Sequence, residues 1–347
     1  MTMTRAEYIW IGGNNELRSK TKILYEKVEG INDLPLWNYD GSSTAQASGD
    51  QSEIIIKPCR IYNDPFNYIY NDEKNNWVID NILVLCDTWL PNGEPHKTNK
   101  RVLAEKIFSQ KKELEPWFGM EQEFFVIDVE NNRPLGFPKN PLNNLSRTQG
   151  PYYCGVGGNN AYGRNFFELA ETYCLYAGIP LTGKNFEVCC GQMEMQVKNE
   201  GIACADDLIM MRYILLKCSE IFKYTIDFSA KPVKGDWNGS GCHTNFSTKP
   251  MRENGGYDLI LEAINKLSEK HKEHIKVYGD DNNERLTGLY ETAHIDKFTY
   301  GVGNRGASIR IPTDTEKNGC GYLEDRRPSS SCDPYLVTSK IFETCCL

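Results

Sequence analysis

The segment Gly119-Met-Glu-Gln-Glu-Phe-Phe-Val-Ile-Asp128 predicts a β-strand that carries two acidic side chains. Successive side chains of a strand point to opposite faces, so Glu121 and Glu123 share one face and Met120 lies on the other. Two neighbouring carboxylates repel each other unless a cation lies between them or their pKa values rise. The segment therefore indicates either a cation site or, taken alone, an ordinary solvated strand face.

A second acidic segment, Glu187-Val-Cys-Cys-Gly-Gln-Met-Glu194, has its two glutamates seven positions apart. A straight strand would place Glu187 and Glu194 on opposite faces because seven is an odd number. Gly191 permits a turn, and a bent segment or hairpin would let both carboxylates reach one site. A half-exposed strand explains the segment equally well on its own.

Histidine is scarce in this chain, and His243 follows the glycine-rich run Gly239-Ser-Gly-Cys242. The two glycines allow the backbone to approach a ligand closely, and imidazole is a common metal ligand. The alternative is a hydrogen-bonded core histidine. We interpret His271 and His274 as core residues, because both lie on the apolar face of a predicted helix.

Four arginines, Arg305, Arg310, Arg326 and Arg327, lie within 23 positions on segments interrupted by Gly and Pro. Arginine clusters suit bidentate binding of phosphates and carboxylates, and surface ion pairs are the alternative. The run from Gly301 to Gly306 matches the dinucleotide fingerprint G-x-G-x-x-G. We reject that match because no buried strand precedes it and no helix follows it.

Composition excludes several classes of protein. The chain has 347 residues, 40% of them hydrophobic and 25% charged, with a net charge of -8. An acidic balance argues against nucleic acid as a partner, and no apolar run approaches the roughly 20 residues of a membrane helix. The N-terminus lacks the apolar core of a signal peptide, and the 13 cysteines are an odd number. We expect free thiols and a cytoplasmic location.

The predicted elements divide the chain into two domains, residues 1–95 and 96–347. The first is β-rich, and the turn-forming segment Pro91-Asn-Gly-Glu-Pro95 separates it from the rest. Helices and strands then interleave without regular βαβ spacing, which indicates an α+β fold. The predicted strands are Tyr8–Ile11, Glu53–Lys57, Asn81–Cys86, Gly119–Asp128, Glu187–Val197, Gly241–Ser247 and Ala307–Pro312. The predicted helices are Thr98–Glu115, Arg164–Ala177, Asp206–Tyr224 and Tyr257–Val277.

Taken together, the motifs form an ordered set, and the chain resembles glutamine synthetase of the eukaryotic type over nearly its whole length. The most specific matches are Trp37-Asn-Tyr-Asp-Gly-Ser-Ser-Thr44, Pro116-Trp-Phe-Gly-Met-Glu-Gln-Glu123, Gly150-Pro-Tyr-Tyr-Cys-Gly-Val-Gly157, Asn238-Gly-Ser-Gly-Cys-His-Thr-Asn-Phe-Ser-Thr248, Arg285-Leu-Thr-Gly288 and Tyr322-Leu-Glu-Asp-Arg-Arg-Pro328. The resemblance implies a small β-grasp N-terminal domain and a larger catalytic domain, whose antiparallel sheet forms a half-barrel packed by helices.

The resemblance also implies a reaction and its partners. ATP phosphorylates the γ-carboxylate of L-glutamate, and ammonia displaces phosphate from γ-glutamyl phosphate to give L-glutamine. Two or three Mg²⁺ or Mn²⁺ ions per active site would neutralise the meeting anions. The implied assembly is a homo-oligomer of stacked pentameric rings with active sites between subunits, and no nucleic acid or membrane is involved.

The resemblance implies a role for each motif residue. Metal ligands would be Glu121, Glu123, Glu187, Glu194, His243 and Glu324, and which of them serves which ion stays open. Glutamate would bind Trp237, Asn238, Gly239, Arg285, Arg305 and Arg326. ATP would contact Glu121, Glu194, Asn245, Phe246, Ser247, Arg305, Arg310, Tyr322, Leu323 and Glu324. Catalytic residues would be Arg305, Arg326, the flap residue Glu291 and Asp40. Asp40 would be contributed by a neighbouring subunit and would bind ammonium.

Several positions depart from the family pattern. Cys190-Gly191 stands where the family usually has Pro-Ala or Pro-Gly, and Met193 stands where it usually has Trp. The segment Val197–Gly201 is read as a loop one residue shorter than usual, and it borders the nucleotide in the family. Tyr290 replaces the usual histidine beside Glu291.

Two other functions are compatible with the same motifs. A ligase of the same core that uses another amine would most readily change Asp40, Arg285 or Glu291, and all three are present. A non-catalytic structural relative would have lost metal ligands or arginines, and none is lost.

Overall fold

The computed structural model describes residues 2–67, 70–72, 77–137 and 149–347. The chain folds into two compact units. The first unit is Met1–Lys106 with Thr172–Ile179, and the second is Ile107–Glu171 with Pro180–Leu347. The division at residue 95 stays a prediction.

The first unit is built on a small mixed sheet. Its strands are β1 Thr2–Ile11, β2 Leu17–Leu24, β3 Trp37–Asp40, β4 Glu53–Asn63, β5 Tyr70–Asp72 and β6 Trp77–Trp89. The order is β2-β1-β6-β4-β3, with β1 and β6 parallel and the other described pairs antiparallel. Tyr8, Trp10, Ile56 and Val84 form its buried core. The three strands predicted in this region are confirmed.

The second unit carries a curled half-barrel sheet. Its strands are β7 Trp117–Asp128, β8 Arg133–Pro134, β9 Leu181–Phe186, β10 Gln192–Glu200, β11 Tyr224–Asp227, β12 Cys242–Ser247, β13 Tyr300–Val302, β14 Ile309–Ile311 and β15 Leu323–Asp325. The order is β13-β14-β15-β12-β7-β10-β9, while β8 and β11 also pair with β7. Of the described pairs only β13–β14 is parallel. The α+β class with a predominantly antiparallel catalytic sheet is confirmed.

Helices cover the apolar face of this sheet. The helices of the described chain are α1 Lys100–Phe108, α2 Arg164–Ala177, α3 Ile202–Phe222, α4 Lys249–Arg252, α5 Gly256–Glu269, α6 His271–Ile275, α7 Thr313–Asn318 and α8 Pro334–Cys346. Helix α3 packs on β7, β10 and β11, and α8 packs on α3 and α5. Phe118, Met120 and Phe124 of β7 are buried on this side, so the acidic side chains of β7 face away from the helices.

The structure corrects several predicted helix ends. Helix α1 ends at Phe108 rather than Glu115, because Lys111 has φ of -144° and ψ of 58°, outside the helical region. Its N-terminal cap is Asn99 rather than Thr98, since the Asn99 Oδ1 accepts a hydrogen bond from the Val102 N–H at 3.2 Å. The helix predicted from Asp206 begins earlier, at Ile202.

The structure also tests the predicted end of α2 and the predicted length of the helix that starts at Tyr257. The prediction for α2 is confirmed, and Gly178 follows it with φ of +88°. The predicted helix Tyr257–Val277 is divided at Lys270 into α5 and α6.

The histidines of α6 are core residues, as the sequence indicated. His274 is fully buried, with ring nitrogens 2.6 Å from the Tyr278 hydroxyl and 2.8 Å from the Thr344 hydroxyl. His271 Nε2 lies 2.8 Å from the Ile295 carbonyl oxygen. None of the 13 cysteines, all of which lie among the described residues, forms a disulfide, as predicted. Among the described residues, no helix has the length and apolar character needed to span a membrane.

Candidate metal and phosphate site

A cavity of about 350 Å³ lies in the second unit and is lined by both acidic residues and arginines. The predicted site residues that line it are Glu121, Glu123, Glu187, Glu194, Asn238, Gly239, His243, Arg285, Glu291, Arg305, Arg310 and Arg326. The structure therefore brings residues from five separate sequence motifs to one cavity.

Strand register places the acidic residues next to one another. Glu123 of β7 pairs with Glu194 of β10, and Glu121 pairs with His243 of β12. Directly opposite residues of neighbouring strands share a face, with Cβ atoms about 5 Å apart. Ligand atoms of Glu121, His243 and Glu324 all lie within 4.8 Å of one another, and the same holds for Glu123, Glu194 and His243.

Glu187 reaches the cavity because the chain bends between β9 and β10. Gly191 has φ of +76°, and the Glu187 N–H donates to the Gln192 carbonyl oxygen at 3.0 Å. The Glu187 carboxylate accepts from the Asn185 amide at 2.8 Å and from the Val188 N–H at 3.1 Å. The prediction of a bent segment is confirmed, although Glu187–Gly191 itself is a turn and not the start of β10.

Neutral amides hold the other carboxylates in place. Glu121 accepts from the Asn245 amide at 2.8 Å, Glu123 from the Gln192 amide at 3.0 Å, and Glu194 from the Gln196 amide at 2.6 Å. Asn245 was predicted only as a nucleotide contact, and no role was predicted for Gln192, Gln196 or Asn185. Their period-two spacing from Glu194 and Glu187 was the signal that could have found them.

Burial and mutual repulsion raise the pKa values of this acidic cluster. The pKa of Glu123 rises to about 8, first because it is buried and then because Glu187 lies nearby. Burial and Glu194 raise the pKa of Glu187 to about 7, and burial with Glu121 and Glu123 raises that of Glu194 to about 8. A divalent cation relieves such crowding, and hard cations prefer carboxylate oxygens. These residues therefore fit one or more divalent cations of the Mg²⁺ class.

His243 presents a neutral imidazole to the cluster. Burial, followed by the charges of Arg326 and Arg285, holds its pKa well below the usual value despite Glu324. Its Nε2 accepts a hydrogen bond from Arg285 Nη2 at 3.1 Å, which leaves Nδ1 facing Glu121 at 3.7 Å and Glu324 at 3.6 Å. Because Nε2 accepts from Arg285, the neutral ring carries its proton on Nδ1 here, and binding of a metal ion at Nδ1 would require the proton to be on Nε2 and Arg285 to release this hydrogen bond.

The Arg285 side chain is closely packed, which explains why the two positions before His243 that contact it are glycines. Its guanidinium donates to the Arg326 carbonyl oxygen at 2.8 Å, and burial lowers its pKa to about 10. A Cβ at Gly239 would lie 2.8 Å from Arg285 Cγ, and one at Gly241 would lie 2.6 Å from Arg285 Nη2. Glycine is needed at both positions because of this close packing and not because of a left-handed backbone.

The other arginines divide between the cavity and the core. Arg326 Nη1 donates to Glu324 at 2.7 Å, and Arg310 also pairs with Glu324. Arg305 is exposed at the rim. Arg327 points away from the cavity and makes a buried bidentate ion pair with Asp325, at 2.8 and 2.6 Å. Three of the four clustered arginines thus face the cavity.

The residues predicted to contact ATP differ in the burial of their side chains. The side chains of Phe246 and Leu323 are fully buried, with Phe246 packed on Phe118, so only their backbone atoms could contact a ligand. Ser247 is buried, whereas Tyr322 is 41% exposed. The segment Val197–Glu200 is the end of β10 and not a loop, which corrects the interpretation of Val197–Gly201.

Trp237 and Asp40 are not among the residues that line the cavity. The Trp237 ring packs on Phe137, with centroids 5.1 Å apart. Asp40 belongs to the first unit, whereas every cavity residue belongs to the second. The Ser42 and Ser43 hydroxyls donate to the Asp40 carboxylate at 2.6 and 2.7 Å and lower its pKa to about 2.

Comparison with known proteins identifies the relatives of this chain. The family model described as "Glutamine synthetase, catalytic domain" matches residues 92–276. A cytosolic isozyme of glutamine synthetase from Medicago sativa is 52% identical over 98% of this chain and 93% of its own length. A cytosolic isozyme from Oryza sativa subsp. japonica is 50% identical with the same coverage. A chloroplastic form from Brassica napus is 51% identical over 98% of this chain and 77% of its own length. The chain belongs to the glutamine synthetase family.

Proposed function

We propose that this chain catalyses ATP-dependent ligation of ammonia to the γ-carboxylate of L-glutamate, giving L-glutamine, ADP and phosphate through γ-glutamyl phosphate. The observation that carries the proposal is a single cavity lined by five carboxylates, by His243 and by four arginines. The carboxylates and arginines are those of Glu121, Glu123, Glu187, Glu194, Glu291, Arg285, Arg305, Arg310 and Arg326. A carboxylate reacts poorly with amines, so it needs a phosphate leaving group, and ATP must approach another anion to supply it. Charge neutralisation therefore dominates the barrier.

The acidic residues and His243 would hold the metal ions. Glu121, His243 and Glu324 form one candidate group, and Glu123 and Glu194, whose ligand atoms also lie close to His243, form the other. Glu187, whose charge acts on Glu194, would join the second group. When bound, Mg²⁺ or Mn²⁺ would supply positive charge to the phosphate oxygens of ATP. The amides of Asn245, Gln192 and Gln196 would keep the carboxylates oriented toward the cavity.

The arginines would bind the anionic groups of the substrates. Arg305, Arg310 and Arg326 would contact the transferring phosphate, and planar guanidinium groups suit its oxygens. Arg285 with Asn238 and Gly239 would hold glutamate. Asn245, Ser247 and Tyr322 would contact ATP through side chains, and Phe246 and Leu323 through backbone atoms.

Two carboxylates would control the second step. Glu291, which lines the cavity, would close over the acyl phosphate and exclude water. Asp40 would come from a neighbouring subunit and hold ammonium, and its low pKa keeps it charged for this purpose. The assembly would be a homo-oligomer of stacked pentameric rings in the cytoplasm.

The test is phosphate release by the purified protein with ATP, Mg²⁺ and glutamate, with and without ammonium, while glutamine is measured in parallel. Ammonium-dependent phosphate release matched by glutamine supports the proposal. Release with another amine but not with ammonium would instead indicate a related ligase. No release with either Mg²⁺ or Mn²⁺ would contradict both activities.

A matched pair of variants on β10 tests the metal assignment. Glu194→Gln removes a charged oxygen from the cavity, and we expect phosphate release to fall by about 100-fold or more. Glu200→Gln is the control, because Glu200 is an exposed residue of the same strand outside the cavity. Near-normal activity of Glu194→Gln would contradict the assignment.

A further inference from the structure

Two loops of the second unit meet beside the cavity through one side-chain contact. The loop between β11 and β12 carries Asp236 and the proposed glutamate-binding residue Asn238. The other loop, between α6 and β13, carries Glu291. The Tyr290 hydroxyl donates a hydrogen bond to the Asp236 carboxylate and so joins the two loops. The ammonium group of Lys231 also lies 5.1 Å from the centroid of the Tyr290 ring.

The backbone that presents Glu291 is strained. Tyr290 and Glu291 have φ of 53° and 59°, so two consecutive residues with side chains adopt the left-handed conformation. That conformation brings Cβ close to the backbone, and it persists only where neighbouring contacts hold it. Gly288, at φ of +83°, begins this irregular stretch. The position of the Glu291 carboxylate therefore depends on contacts made by adjacent side chains.

The loop that carries Asp236 is firmly held. The Gln149 amide donates to the Asp236 carbonyl oxygen at 3.2 Å, and Gln149 Oε1 accepts from the Asn238 N–H at 2.6 Å. The Lys231 ammonium group donates to the Trp237 carbonyl oxygen. Asp236 is thus a fixed acceptor, and a hydrogen bond to it restrains the segment on which Glu291 lies.

We propose that the hydrogen bond from Tyr290 to Asp236 positions Glu291 in the cavity wall and keeps the site closed over the activated glutamate. The inference rests on the proposed function. Tyr290 acts through Glu291 and is a positioning residue. Without the hydroxyl, Glu291 leaves its place more often and water reaches the acyl phosphate, so phosphate is released without formation of glutamine.

The test uses the full-length protein with Tyr290→Phe, Asp236→Ala, the double variant and Asp236→Asn. Tyr25→Phe is the control, because Tyr25 is 75% exposed and belongs to the first unit. The main measurement is the ratio of phosphate released to glutamine formed, which a general loss of stability would not change. The kcat/KM for glutamate is measured alongside.

We expect Tyr290→Phe to raise the ratio and to lower kcat/KM for glutamate about three- to tenfold, as for loss of an ordinary solvent-accessible hydrogen bond. The double variant should match either single variant, because one contact is removed in each case. Asp236→Asn keeps an acceptor oxygen and should lie between wild type and Asp236→Ala.

Two results would overturn the inference while the proposed function stands. One is a wild-type ratio in Tyr290→Phe, and the other is a double variant whose defects are the sum of the single ones. Failure of the proposed function is distinguishable, since the wild-type protein would then form no glutamine at all.

Discussion

Replacement of Gly241 by alanine tests whether the close packing around Arg285 organises the site. A Cβ at this position would lie 2.6 Å from Arg285 Nη2 and 2.9 Å from His243 Nε2, whereas ordinary contact begins at 3.4 Å. The guanidinium would have to retreat by about 0.8 Å, the difference between 2.6 and 3.4 Å. Because Gly241 also exchanges backbone and side-chain hydrogen bonds with Glu123, the strand cannot simply move away.

The expected cost follows from these contacts. Overpacking of a dense interior costs about 1–3 kcal/mol, and loss of the hydrogen bond between Arg285 and His243 adds about 1.5–3 kcal/mol. A domain of this size loses about 2–4 °C of Tm for each kcal/mol. We therefore expect a Tm lower by roughly 5–24 °C and weaker binding of both Mn²⁺ and glutamate, because His243 and Arg285 both shift.

The assay is differential scanning calorimetry with and without Mn²⁺, together with Mn²⁺ titration by electron paramagnetic resonance and the KM for glutamate. Gly158→Ala is the matched control, because an added Cβ at Gly158 would meet nothing within 4 Å. We expect this control to behave as wild type. A Gly241→Ala variant with unchanged Tm, Mn²⁺ affinity and KM would refute the packing argument.

Three further predictions concern other parts of the chain. Asp40→Ala should spare glutamate-dependent formation of the acyl phosphate but slow its conversion to glutamine, and loss of glutamate-dependent ATP cleavage would contradict the ammonium role. In metal-free protein, Glu123 and Glu194 keep their protons to a pH of about 8, whereas the unfolded chain loses them near 4.5. The folded state binds more protons in this window, so its stability should fall as pH rises from 4.5 through 8, and Mg²⁺ should flatten that dependence in thermal melts. Arg327→Ala should lower the free energy of unfolding by about 3–5 kcal/mol in urea titrations, since Asp325 would keep a buried charge without its partner; a change below 1 kcal/mol would be inconsistent with the ion pair.

Local sequence patterns were sufficient where one segment determines its own conformation. The alternating pattern of Gly119–Asp128 predicted β7 and placed Glu121 and Glu123 on one face, as the structure confirms. Gly178 predicted the end of α2. Rejection of the dinucleotide fingerprint was also correct, because β13 leads through a turn to β14 and not to a helix.

Helix ends were less predictable because tertiary contacts compete with helix propensity. Nothing in the composition of residues 98–115 ends a helix before Pro116, yet α1 ends at Phe108. The Phe108 ring packs against Phe118 of β7 and Phe342 of α8, and the chain then turns to enter β7. The break at Lys270 similarly lets α6 present His271 and His274 to the buried network around Tyr278 and Asp325.

The sequence by itself determined the kinds of chemistry available: hard oxygen ligands, one imidazole, a set of arginines and the strands that carry them. Only the tertiary structure decided which of them act together. Glu194, Glu123 and His243 share one site because β10, β7 and β12 are neighbours in the sheet, although they are far apart in the chain. That order and its register depend on burial of apolar side chains under α3 and α8, which no single segment specifies. The same packing separated Arg326, which faces the cavity, from Arg327, which faces the core.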